Sequence, residues 1–97
     1  MVNKWNIPNW LEKKIRNRDK SCVYCHKNFR NNCKDRAEWE HVDNDEKNIS
    51  EKNIALCCGS CNRSKGNRTL SKWLEMNYCK KRDININNIS VKKVVLK

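Results

Sequence analysis

The first stretch of helical periodicity lies near the N-terminus. Three apolar residues share one face of a predicted helix over about residues 9–18: Trp10, Leu11 and Ile15. Asn9 is of a residue type that favours the N-cap position, so we expect it to cap this helix.

A second stretch follows Thr69, which we expect to cap the clearest helix of the chain. Its apolar residues fall at i, i+3, i+4 and i+8: Leu70, Trp73, Leu74 and Tyr78. Beyond Asp83 the apolar pattern fits a strand or a helix, and we favour a helix. We therefore predict a C-terminal helical segment over about residues 69–96.

Between these stretches, alternation of apolar and polar residues predicts a strand from Arg36 to Val42. Its two sides would carry different residues, Ala37, Trp39 and His41 on one and Glu38, Glu40 and Val42 on the other. A polar loop over residues 43–49 follows. A short helix is expected from Cys61 to Lys65, ending at Gly66.

Length and charge narrow the class of protein. The chain has 97 residues, which suits a single domain, and its net charge of +11 points to a polyanionic partner, nucleic acid before membrane. No apolar run approaches the roughly 18 residues of a membrane span, and residues 1–10 hold no stretch of signal-peptide length. We therefore expect a cytoplasmic protein without a membrane partner.

Acidic residues concentrate in one region of this basic chain. Residues 38–51 hold six of the eleven acids. Some of these carboxylates could hold a cation, and the alternative is a solvated acidic loop.

Cysteines form two knuckles, Cys22-x-x-Cys25 and Cys58-x-x-Cys61. Four thiolates in two such turns are typical of a structural zinc site, whereas disulfides or unrelated thiols are the alternative. A small, polar chain also needs such a staple. The other cysteines and a neighbouring histidine are left outside the predicted site: Cys33, Cys57, Cys79 and His26.

Residues that suit phosphodiester hydrolysis lie between and beside the knuckles. His41 can act as a base, since its ordinary pKa lies near working pH. Glu40 and Asn62 offer the hard oxygen ligands that Mg²⁺ or Mn²⁺ prefers. Two protein ligands leave room for water and phosphate oxygens.

These motifs together resemble the HNH endonucleases, also called ββα-metal nucleases, in their four-cysteine zinc version. The matching features are the two knuckles, the acid–His pair Glu40-His41, a mid-loop Asn53 and the run from Leu56 to Gly66. The resemblance spans about residues 5–95, and the chain is similar to a group of small stand-alone bacterial members. It implies a small α+β fold: one domain over 1–97, with a zinc-stapled, treble-clef-like ββα core at about 20–68 and flanking helices.

The resemblance also assigns roles. His41 would be the general base, Glu40 and Asn62 the ligands of a catalytic divalent metal, and Asn53 a residue that holds the loop and helps to orient His41. Two departures are the Glu in place of the commoner Asp, and Asn62 in place of His. Glu40 and His41 are adjacent, so the strand must twist or end there for both to reach one metal.

Further contacts follow from charge and aromatic content. We expect Arg63, Lys65 and Arg68 to contact phosphates, with a solvated basic face as the alternative. Three tryptophans are assigned to packing around the zinc unit, and Trp5 is left open: Trp10, Trp39 and Trp73.

The expected function is metal-dependent cleavage of DNA, double-stranded in the first instance, either with low sequence specificity as a monomer or with specificity supplied by a homodimer or a partner protein. The main alternative is a non-catalytic zinc module that binds nucleic acid. An RNA nuclease and a purely structural zinc domain are further alternatives.

Overall fold

The structure, a computed structural model, describes residues 5–90. It is a small α+β fold with a two-stranded sheet and helices. The elements in chain order are α1 (Asn9–Arg18), β1 (Ala37–His41), β2 (Ile54–Cys58), α2 (Gly59–Lys65), α3 (Leu70–Leu74) and α4 (Asn77–Lys81). The predicted strand and both flanking helical regions are therefore present, and the ββα order β1-β2-α2 forms the centre.

The two strands pair antiparallel, with Ala37 opposite Cys58 and His41 opposite Ile54. All of β2 is buried, because each of its faces packs against a different apolar cluster. The α1 face joins Ile54 and Leu56 to a cluster with Ile7, Leu11 and Ile15. The cysteine face joins Ala55, Cys57 and Cys58 to a larger cluster that includes Cys22, Cys61 and Trp73. Alternation from Ile54 to Cys57 thus separates two cores, while Cys58, the N-cap of α2, also joins the cysteine face.

Helix α1 rests on β2 through a narrower face than its sequence suggests. Leu11 and Ile15 are fully buried, but Trp10 is 65% exposed, so its predicted packing around the zinc unit is wrong. Successive helical residues are about 100° apart, and the helix turns Leu11 rather than Trp10 toward the sheet. The expected cap is also wrong. Asn9 is the first helical residue, and Pro8 occupies the N-cap position without a side-chain cap hydrogen bond.

The other two tryptophans that were expected to pack around the zinc unit lie in different clusters. Trp73 is fully buried in the cluster that contains the cysteines, as predicted. Trp39 is half-buried and packs against the α1 cluster instead, with the Arg16 guanidinium 4.9 Å from its ring centroid. Trp5, which the sequence left open, also packs against the α1 cluster.

The predicted C-terminal helical segment is interrupted. Thr69 caps α3 as expected, accepting a hydrogen bond from the Lys72 amide at 3.3 Å. The helical conformation then stops at Met76, whose backbone is extended and which is the N-cap of α4. Tight i→i−3 bonds at Glu75 and Met76 close α3 early, so that Trp73 and Cys79 can both be buried in one core.

Residues 82–90 form turns rather than the favoured helix. Ile84 and Ile89 are buried there, and the Ser90 amide bonds to the Val23 carbonyl at 3.0 Å. This contact attaches the end of the described chain to the first knuckle. The rest of the predicted segment, residues 91–96, lies outside the described residues. None of the described helices is long and apolar enough to cross a membrane.

Candidate functional site

The four knuckle cysteines come together as predicted. The thiol sulfurs of Cys22, Cys25, Cys58 and Cys61 all lie within 4.8 Å of one another, and those of Cys25 and Cys58 are 3.8 Å apart. A tetrahedron with Zn–S bonds of roughly 2.3 Å has edges of about 3.8 Å. Each knuckle folds an amide onto its first sulfur, at 3.5 Å for Cys25 onto Cys22 and 3.4 Å for Cys61 onto Cys58. The donor set and spacing fit a structural zinc ion.

The thiols are also electrostatically unlike isolated cysteines. Hydrogen bonds from Cys25, Cys58 and Cys61 lower the pKa of Cys22 well below its usual range. The contact with Cys22, joined by those with Cys25 and Cys58, raises the pKa of Cys61. Four thiolates this close repel one another, so protons stay shared among them unless a cation compensates the charge. A divalent cation would ionise all four thiols and release those protons.

The remaining cysteines and His26 stand outside this cluster, as predicted. Cys57 and Cys79 are buried, and burial raises the pKa of both thiols, to about 11 for Cys79. Cys33 is exposed. The His26 ring contacts the Asn88 carbonyl instead of a knuckle sulfur.

The second candidate centre lies where β1 ends. His41 is the last residue of β1, and the chain turns at once, with the Asn44 amide bonded to the His41 carbonyl at 2.8 Å. Glu40, His41 and Asn62 line one cleft with five further residues: Trp5, Trp39, Asn44, Glu46 and Asn67. The strand therefore ends where the resemblance requires it to twist or end, and the adjacent Glu40 and His41 share a cavity.

His41 is 8% exposed, and its ring meets the Trp5 ring edge-on at 5.5 Å between centroids. Within residues 5–90, its Nε2 atom is buried and has no hydrogen-bond partner. Buried polar atoms are nearly always paired, so an unpaired ring nitrogen in a cleft calls for a ligand, an ion or a water molecule. The unpaired Nε2 atom is the observation that most strongly favours a bound partner at the end of β1.

Glu40 contacts two buried partners, Tyr24 and Lys65, and nothing in the sequence indicated that these three residues lie together. The Tyr24 hydroxyl donates to Oε2 at 2.7 Å, and the Lys65 ammonium lies 3.2 Å from the same oxygen. Burial, followed by the charge of Glu40, raises the pKa of Tyr24 well above its usual value, so the phenol remains a donor. Lys65 is fully buried, and its Nζ also donates to Asn44 Oδ1 at 2.7 Å.

The prediction that Lys65 contacts a phosphate is therefore wrong for this structure. Its ammonium compensates a buried carboxylate, and its side chain has no exposed surface. Lys side chains are buried almost only when paired in this way. Asn44, which completes the arrangement, has φ 64°, a left-handed conformation that Asn tolerates better than most residues. This preference of Asn for the left-handed conformation was the only feature of the sequence that could have pointed to Asn44 as part of the site.

Asn62, predicted as a ligand of the catalytic metal, forms a hydrogen bond with Glu38. Its Nδ2 donates to Glu38 Oε1 at 2.8 Å, and the Arg36 guanidinium holds the other oxygen of Glu38 at 2.7 Å. Burial acts to raise the pKa of Glu38, but the hydrogen bonds from Asn62 and Arg36 outweigh it, and the pKa falls below its usual value. With Nδ2 engaged, Oδ1 is the amide atom that can ligate a cation.

Asn53 holds the loop that follows His41. It is 1% exposed, its Oδ1 accepts from the Asp43 amide at 2.9 Å, and its Nδ2 donates to the Asn48 carbonyl at 3.0 Å. Its own carbonyl accepts from the Val42 amide at 2.9 Å. Three bonds from one residue fix both ends of the loop, which agrees with the loop-holding role expected from the resemblance.

The two predicted arginines keep exposed side chains. Arg63 donates to the Cys33 carbonyl at 2.7 Å and lies 3.9 Å from Glu38, while Arg68 donates to the Ser64 carbonyl at 3.0 Å. Both residues remain accessible to a phosphate.

No family model and no curated protein matches the sequence, and no solved structure matches the fold.

Proposed function

We propose that this chain is a metal-dependent endonuclease of the HNH type that hydrolyses phosphodiester bonds in double-stranded DNA. The observation that carries the proposal is the buried Nε2 of His41, which has no hydrogen-bond partner within residues 5–90 and belongs to a side chain that lines the cleft. Glu40 and Asn62 line the same cleft. A nitrogen base beside two oxygen donors is the minimum set for activating water against a phosphodiester.

In this mechanism His41 Nε2 accepts the proton of the attacking water. The Trp5 ring against the imidazole limits its rotation and shields one side from solvent. The loop held by Asn53 begins two residues after His41, so Asn53 acts on the backbone that carries the base. The chain thus presents a base whose position is fixed before substrate arrives.

Glu40 and Asn62 would hold the catalytic cation. Both supply oxygen, which suits Mg²⁺ or Mn²⁺, and Glu40 Oε1 and Asn62 Oδ1 are the atoms left by their hydrogen bonds. When bound, a divalent cation neutralises charge on the scissile phosphate and the leaving oxygen. The net charge of +11 supports a polyanionic substrate, and the exposed Arg63 and Arg68 lie on and just past α2.

The test is a supercoiled-plasmid assay of the zinc-loaded protein with Mg²⁺, Mn²⁺ or EDTA. We expect metal-dependent nicking that His41→Ala abolishes. His26→Asn is the matched control, because His26 is the other histidine of the chain, is exposed, and has φ 66°, which Asn tolerates. It should nick like the wild type.

Other outcomes contradict the proposal. Salt-sensitive DNA binding without cleavage in either metal would indicate the non-catalytic binding module. Equal cleavage by wild type and His41→Ala would show that His41 is not the general base. Faster cleavage of a matched RNA than of DNA would show that RNA, rather than DNA, is the preferred substrate.

A further inference from the structure

Glu40 lines the cleft, and its carboxylate is also held within a buried cluster of side chains. Glu40 is 6% exposed, and its two partners, Tyr24 and Lys65, are 1% and 0% exposed. Both partners bind the same oxygen, Oε2, at 2.7 Å and 3.2 Å. The geometry fixes one oxygen within the protein and leaves the other, Oε1, without either partner.

Each partner is anchored by one of the cysteine knuckles. Tyr24 lies between Cys22 and Cys25, and its ring packs edge-on against Trp73 with centroids 4.9 Å apart. Lys65 ends α2, the helix that begins directly after Cys58 and contains Cys61. The four-cysteine cluster therefore holds both groups that determine the orientation of Glu40.

We propose that Tyr24 and Lys65 are positioning residues that connect the four-cysteine site to the catalytic carboxylate, fixing Glu40 Oε2 so that Oε1 faces the divalent cation. This inference rests on the proposed function, because it assigns the cation to Glu40. Groups that hydrogen-bond a metal ligand orient it, and their loss commonly costs 10–100-fold in metal affinity or activity.

The two residues act in different ways, which gives each variant its own signature. Tyr24→Phe removes one donor but keeps the ring against Trp73 and the ammonium of Lys65. It should loosen the carboxylate and lower both the affinity for cation and the turnover. Lys65→Met removes a positive charge beside a metal ligand. Cation affinity should rise because the repulsion is gone, while turnover at saturating metal should fall.

The experiment uses the zinc-loaded full chain and measures Mn²⁺ binding by electron paramagnetic resonance without DNA, with plasmid nicking at saturating Mn²⁺ as a second readout. Ser71→Ala is the control. It also loses one hydroxyl, but Ser71 is exposed and its Oγ lies 3.4 Å from Thr69 Oγ1, away from Glu40 and from the knuckle sulfurs. Glu40→Gln defines how much Mn²⁺ binding depends on Glu40.

We expect Tyr24→Phe to weaken both Glu40-dependent Mn²⁺ binding and turnover by about 10-fold or more, with unchanged zinc content, and Ser71→Ala to match the wild type. Wild-type behaviour of Tyr24→Phe in either readout overturns the positioning role, even if Lys65→Met fails to fold. Absence of Glu40-dependent Mn²⁺ binding in the wild type overturns the proposed function together with this inference. The two failures are therefore distinguishable.

Discussion

The two faces of β2 are held by different kinds of interaction. The face toward α1 is a plain apolar core, in which Ile54 and Leu56 meet Leu11 and Ile15. The opposite face packs around four thiols that lie within 4.8 Å of one another. The first face gains stability from removing apolar surface from water, at about 25 cal/mol per Å². The second has at its centre four thiols that repel one another when ionised, a charge that a bound cation would compensate.

This difference explains where the candidate site lies. Glu40 is held from the cysteine face by Tyr24 and Lys65, whereas His41 meets Trp5, which packs against the α1 cluster. The cleft therefore forms where the two cores meet at the end of β1. One face orients the proposed metal ligand, and the other orients the proposed base.

The largest expected effect is on the cysteine face. Cys58→Ser removes one of four ligands, and structural zinc contributes on the order of 10 kcal/mol to the folding of small zinc domains. We expect loss of stoichiometric zinc and of the folded state, measured by metal content and circular dichroism. Cys33→Ser is the control, because Cys33 is exposed and lies outside the cluster. A folded, zinc-free Cys58→Ser protein would show that this face does not depend on the metal.

The next effect is on the α1 face. Leu11→Ala deletes a side chain that is 1% exposed, and such truncations cost about 2–5 kcal/mol. The denaturation midpoint should fall while the zinc content of the folded protein stays the same. The neighbouring Trp10→Ala should change stability by less than about 0.5 kcal/mol, because Trp10 is 65% exposed. Equal losses for the two variants would contradict the packing of α1.

A smaller effect is expected at the loop between the faces. Asn53→Ala leaves the Asp43 amide and the Asn48 carbonyl without their partner. Both hydrogen bonds are part-buried, and an ordinary hydrogen bond contributes about 0.5–1.5 kcal/mol, so we expect a loss of about 1 kcal/mol and faster hydrogen exchange at the Asp43 amide. The exposed Asn87, changed to Ala, should show neither effect. Unchanged exchange at Asp43 would rule out the loop-holding role.

The smallest effect is expected on the solvent side of α1. Glu12→Ala breaks an i,i+4 ion pair with Arg16, in which the two side chains are 3.2 Å apart. Exposed helical pairs contribute about 0.3–0.5 kcal/mol, and salt screens them. In urea denaturation, the free energies of unfolding of Glu12→Ala and the wild type should differ by no more than that amount at low salt, and by less at high salt. A larger loss would mean that charges, rather than the apolar face, hold α1 in place.

Several features of the fold could be read from local sequence chemistry. The four metal ligands follow from two C-x-x-C turns, since each turn fixes the separation of its own pair of sulfurs. Thr69 caps α3 because its hydroxyl needs only an amide three residues later. β1 was predicted within one residue at each end, because its apolar and polar residues alternate.

The errors fall where a residue's environment depends on distant parts of the chain. Trp10 and Leu11 are equally apolar in sequence, and only the position of β2 decides which one is buried. Met76 breaks a helix that periodicity would continue, because two short helices bury Trp73 and Cys79 together. Lys65 looks like a surface cation until Glu40 is placed against it.

The sequence by itself therefore determined the four-cysteine cluster and the strand and helices that carry the candidate residues, and its net charge of +11 is the basis for expecting a polyanionic partner. Only the tertiary structure decided that Tyr24 and Lys65 hold Glu40, that Asn62 binds Glu38, and that His41 Nε2 is buried without a partner among the described residues. The physical reason is range. Turn geometry and side-chain periodicity act over a few residues, whereas burial and charge compensation depend on groups 16 to 25 positions apart that meet only when the two cores close around β2.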